Sequence, residues 1–125
     1  MPKVSRESAQ VDDFGPVEDR HAELDGYAVS FVTFRQDLDH APMLRGLPDD
    51  RCQCPHWGQV LKGRWTVRYP DREEVYEAGD AFYMPPGHVP VQNDPGTELL
   101  LISPAAELSK TDAVIKRNME ALQAR

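Results

Sequence analysis

Cysteine is scarce in this chain, with 2 residues in 125, at Cys52 and Cys54. Two thiols cannot build the multi-bridge framework of a disulfide-stapled secreted domain. A bridge between them would join residues i and i+2 of a strand, whose Cα atoms stand about 6.5 Å apart, at the far edge of disulfide reach. Long apolar runs are missing as well, so neither a membrane span nor a signal-peptide core is expected, and the expected location is the cytoplasm. Positive charge is in short supply: 14 Lys and Arg stand against 21 Asp and Glu, a formal net charge of −7. That balance opposes binding to nucleic acid or to an anionic membrane, and no basic cluster with interleaved aromatics reverses it.

What remains fits one domain, long enough to bury a core without disulfide staples. The 11 prolines are spread along the chain, which suits a fold with many turns better than a helical bundle. Residues 1–20 are polar without clear period and read as a tail or edge segment, 21–103 as a β domain, and 104–125 as a C-terminal helix. Within the β domain, Gly26–Phe34 is aromatic and β-branched, hence a strand. Asp37–Asp50 holds Pro42, Gly46 and Pro48 and reads as a loop. Strands are expected at Cys52–Leu61, at Arg64–Tyr69, where Trp65, Val67 and Tyr69 alternate with Arg64, Thr66 and Arg68, and at Glu73–Ala78. Ala81–Met84, His88–Gln92 and Thr97–Ile102 follow, separated by Gly79-Asp80, Pro85-Pro86-Gly87 and Asn93–Gly96. Ser103 is placed to cap the helix, Pro104 to occupy its first position, and Leu108, Ile115, Met119 and Leu122 to form its apolar stripe.

The chemistry is concentrated in Cys52-Gln53-Cys54-Pro55-His56-Trp57-Gly58. In an extended strand, side chains two apart share a face, so Cys52, Cys54 and His56 would project together. Thiolates and imidazoles are the donors that zinc and other borderline-soft divalent metals take. The plainer alternative is two buried small residues and a hydrogen-bonded histidine. Trp57 points to the opposite face, toward core or interface. Tyr76, Phe82 and Met84 share a parity and belong to cavity or core. His21 and His40 read as surface residues, and Asp50 as a turn acid.

From Gly46 to about Pro104 the chain resembles the cupin superfamily, small double-stranded β-helix (jelly-roll) barrels. The family's first motif is Gly, five residues, His-x-His, three or four residues, Glu, six residues, Gly. Gly46 opens it, Cys52 and Cys54 fill the two histidine slots, and Gly63 closes it. Counted back from Gly63, the glutamate slot falls on His56. The second motif is Gly, five residues, Pro-x-Gly, two residues, His, three residues, Asn. Gly79, Pro85 and Gly87 match it in register. Pro90 stands in its histidine slot, His88 lies two positions earlier with the same parity, and Asp94 stands in the asparagine slot.

The resemblance implies an all-β jelly-roll with a C-terminal α-helix and a metal held by Cys52, Cys54, His56 and His88. The donor set favours Zn2+, with Fe, Ni or Mn as alternatives. A small-molecule ligand in the barrel and a homodimer, the N-terminal segment adding to a partner's sheet edge, complete the expectation. Three functions remain open at this point: a metal-dependent enzyme acting on a small molecule, a non-catalytic metal- or ligand-sensing module with a structural Cys2His2 site, and a sensor whose thiols react with oxidants or metals. The fold alone names no reaction.

Overall fold

The computed structural model describes residues 2–123. Among them are nine strands: β1 (Gln10–Asp13), β2 (Val17–Leu24), β3 (Tyr27–Phe34), β4 (His56–Lys62), β5 (Arg64–Arg68), β6 (Glu73–Glu77), β7 (Ala81–Met84), β8 (Val89–Asn93) and β9 (Thr97–Pro104). One helix follows, α1 (Ala105–Gln123). The strands form a six-stranded sheet in the order β1-β2-β3-β9-β4-β7 and a three-stranded sheet in the order β6-β5-β8. Every pairing between them is antiparallel. Both sheets alternate in burial, as a sheet with one face on a core must. In β5, Trp65 and Val67 are buried while Arg64 and Arg68 are exposed. In β7, Phe82 and Met84 are buried while Ala81 and Tyr83 are exposed.

The space between the sheets is filled at one end by Phe34, Val60, Trp65, Tyr76, Phe82 and Met84 among others. Tyr76 and Phe82 stack at 4.7 Å, so this trio of shared parity serves the core. Gly63 closes the hairpin between β4 and β5 with φ +89°, and a Cβ there would come within 2.9 Å of Thr97 Cα. Only glycine tolerates both the left-handed backbone and that approach.

Three local expectations change. The expected strand Cys52–Leu61 begins only at His56. Cys52 makes a single isolated bridge to His88, and Pro55, lacking an N–H, cannot join a ladder as a donor. The polar N-terminal segment is part of the chain's own sheet: β1 is its edge strand, and β2 pairs along its whole length with β3. Ser103 does not cap the helix; it lies buried inside β9. The Asp37–Asp50 loop carries two 3-10 turns, Ala41–Leu44 and Pro48–Asp50. Asp50 is a turn acid, accepting a hydrogen bond from Gly46 N at 3.0 Å.

Helix α1 packs against the Ala41–Leu44 turn and the ends of β9 and β3. Asn118 anchors it, its Nδ2 donating to the carbonyls of Met43 at 2.7 Å and Arg45 at 2.8 Å. Leu108 and Ile115 pack on a second cluster made of Leu44, Cys52, Cys54 and Val89. Leu122, expected in the same stripe, is exposed. No helix among the described residues is long and apolar enough to cross a membrane.

Candidate metal centre

Cys52, His56 and His88 converge. Each offers a ligand atom, and these atoms lie within 4.8 Å of one another; all three residues are buried. They come from three places: the stretch before β4, the first residue of β4 and the residue before β8. The Cys52–His88 bridge brings two of them together through the backbone, with Cys52 N donating to His88 O at 3.0 Å. Among the described residues this is the one such group.

The imidazoles are oriented by partners behind them. His88 Nδ1 lies 2.8 Å from Pro85 O. A carbonyl only accepts, so Nδ1 carries the proton and Nε2 keeps a free lone pair. His56 Nδ1 lies 2.6 Å from Ser103 Oγ, which turns His56 Nε2 toward Cys52 Sγ at 3.8 Å. Metal-ligating histidines ordinarily have such a second partner. Burial lowers the His56 pKa to about 3, with His88 adding to the effect. Burial lowers His88 as well. Both rings are therefore neutral, the form that ligates. Burial also raises the Cys52 thiol to about 11, so in the protein alone it is protonated and a divalent cation would have to displace the proton.

Cys54 is brought near but stands outside this group. It is almost fully buried, and its Sγ is 3.5 Å from Pro55 O. Burial, then the neighbouring Cys52, raises its thiol to about 12. The even spacing that would have aligned Cys54 with its neighbours applies to a regular strand, and this stretch is not one.

A cavity of about 140 Å³ adjoins Cys52, His56 and His88. Its wall also carries Ser103, Thr111, Asp112, Asp19 and His40, none of which the sequence analysis assigned to the site. Thr111 and Asp112 fill the gap in the helix stripe between Leu108 and Ile115, at i+3 and i+4 from Leu108, so a helical-face count would have found them. His40, expected on the surface, has an Nδ1 sealed from solvent and without a hydrogen-bond partner. Its ring meets Phe34 edge-on at 5.1 Å, and burial lowers its pKa to about 4. His21 keeps partial exposure and pairs with Asp12 Oδ2 at 2.7 Å across β1 and β2.

No protein-family model matches this chain, and no curated protein sequence does. Solved structures do match in fold. An RmlC-like cupin from Shewanella frigidimarina superposes with TM-score 0.57 at 20% identity, over 82% of this chain and 89% of that one. The polyketide cyclase RemF from Streptomyces resistomycificus gives 0.58 at 18% identity, over 84% and 80%. KdgF from Halomonas sp. gives 0.55 at 18% identity, over 80% and 92%. The chain is a cupin in fold: an antiparallel jelly-roll of two sheets with a C-terminal helix. At these identities the likeness carries the architecture and leaves the chemistry to the residues described above.

Proposed function

We propose that this protein is a metal-binding cupin in which Cys52, His56 and His88 hold one divalent ion, zinc by donor preference, facing a small-molecule cavity. The observation that carries the reading is the convergence of three buried ligand atoms within 4.8 Å, with both imidazoles fixed from behind. A thiolate and two imidazoles make a three-donor zinc set, which leaves a coordination position for a ligand. Such an ion supplies Lewis acidity toward a bound oxygen. The chain's own residues orient His56 through Ser103, close the cavity with α1, and place Asp112 and His40 on its wall. These are the groups available to position a substrate or move a proton, which supports a metal-dependent enzyme acting on a small molecule.

The alternative function is a non-catalytic metal- or ligand-sensing module. The burial of Cys54 beside the group supports it, because a turn of that thiol toward the ion would give a closed Cys2His2 shell. Cobalt substitution separates the two. The thiolate-to-cobalt charge-transfer band is expected to vanish in Cys52→Ser and to persist in Cys54→Ser. A band halved in Cys54→Ser establishes the closed shell, and no cobalt binding by the wild-type protein removes both readings.

The expected homodimer stays a proposal, now through a different surface. Val29, Ile102, Trp57 and Tyr83 form one transverse row on the outer face of the large sheet, by the registers of β3, β9, β4 and β7. Trp57 and Tyr83 are each 47% exposed. A second copy meeting this face about a two-fold axis would cover it with the same row.

A further inference from the structure

A second, larger cavity of about 570 Å³ runs between the inner face of β1–β3 and helix α1. That volume is in the usual range for a small-molecule site. Its floor is apolar, with Val17, Val32, Met43, Leu108, Ile115 and Met119. Its ionisable wall is mostly acidic: Asp12, Asp19, Glu23 and Asp112, against Lys116 and His21. His21 is already taken by Asp12 at 2.7 Å. Asp19 Oδ1 is sealed from solvent and has no partner. His40 Nδ1, on the wall of both cavities, is in the same state. Buried polar atoms without partners are costly, and Asp19 and His40, which carry them, both line this half-open cavity, where a bound molecule could draw them into partnership.

The occupant is constrained by charge and by spacing. An anion would meet several carboxylates. A bare metal ion needs three or more donors drawn together, and among the described residues only Cys52, His56 and His88 converge in that way. The carboxyls are instead distributed along an apolar trough, which suits a molecule with a hydrocarbon body and a cationic end. We infer that this cavity takes a small organic cation, an alkylamine or guanidinium compound, whose charged end pairs with Asp19 and Asp112 and whose body lies on the apolar floor. Asp19 and Asp112 also line the smaller cavity beside Cys52, His56 and His88, so such a molecule would have its charged end next to the metal group. The inference rests on the reading of the barrel as a ligand site and names its substrate class; it does not require the ion to be bound. Burial, then the nearby Asp19, raises Asp112 to about 6. A carboxyl so placed is still ionised at neutral pH and gains most from a cationic partner.

The test uses the full chain and two probes of equal length and opposite charge, n-hexylamine and hexanoate, titrated at pH 7.5 by calorimetry with amide chemical-shift mapping. Saturable binding of the amine is expected, at least tenfold tighter than hexanoate, with shifts on β2 and α1. Asp112→Asn should weaken the amine tenfold or more while circular dichroism is unchanged. Lys116→Gln, an exposed position, should tighten it a few-fold, which keeps the test decisive should Asp112→Asn misfold. No saturable amine binding, equal binding of hexanoate, or indifference to both substitutions overturns the inference. Zinc affinity is measured in parallel: zinc binding without amine selectivity removes this inference alone, and amine selectivity without zinc binding removes the metal reading alone.

Discussion

His56 and Ser103 meet across the β4–β9 pairing, Nδ1 to Oγ at 2.6 Å. The serine expected to begin a helix instead fixes the ring of a metal-type histidine. Loss of that hydroxyl should loosen the ring without emptying the core. Ser103→Ala is therefore expected to lower zinc affinity by about 10–100-fold, measured by competition with a chromophoric chelator. Unchanged affinity would make Ser103 a packing residue only.

His40 should make the fold sensitive to mild acid. Its pKa is lowered from 6.5 to about 4 by burial, with Asp39 opposing. The unfolded chain takes up the proton first, so stability is present above pH 6.5 and is lost as pH falls toward 4. For a half-buried residue this amounts to about 2–3 kcal/mol after allowance for screening. His40→Gln should gain that much relative to wild type between pH 7 and pH 4.5 in urea unfolding. A difference that stays flat with pH means that His40 titrates normally.

Gly63→Ala should cost about 1–3 kcal/mol. The residue sits at φ +89°, with Thr97 against the place a Cβ would occupy. Thr97 is fully buried and its Oγ1 donates to Arg64 O at 3.2 Å, so it has little room to move. The midpoint of chemical denaturation reports the loss; a change under about 0.5 kcal/mol, the scatter of surface substitutions, would mean the hairpin relaxes freely.

The Trp57–Tyr83 pair, ring centroids 4.8 Å apart on the outer face, should set the oligomeric state. Sedimentation equilibrium at micromolar concentration is expected to give a dimer for wild type and a monomer for Trp57→Asp. A monomeric wild type would remove the proposed interface.

Most strands were legible because alternation needs only the neighbours in sequence. Trp65, Val67, Phe82 and Met84 announced their inward face, and the spacing of Gly63, Gly79, Pro85 and Gly87 carried the jelly-roll. The donor types were legible: Cys52, His56 and His88 carry metal-type donors, and the structure brings these three together. The strict alternation assumed for Cys54 was not, because Pro55 and the isolated Cys52–His88 bridge break the strand where the parity argument needs it whole.

The sequence by itself determined which side chains are of metal-donor type and which faces are apolar, since both follow from residue type and local period. Only the tertiary structure decided that Ser103 faces a histidine, that His40 Nδ1 is sealed, and that Asp19 and Asp112 share a cavity wall. Those contacts join β2, β4, β9, α1 and the Asp37–Asp50 loop, segments far apart along the chain. No local pattern encodes which of them the packing brings together.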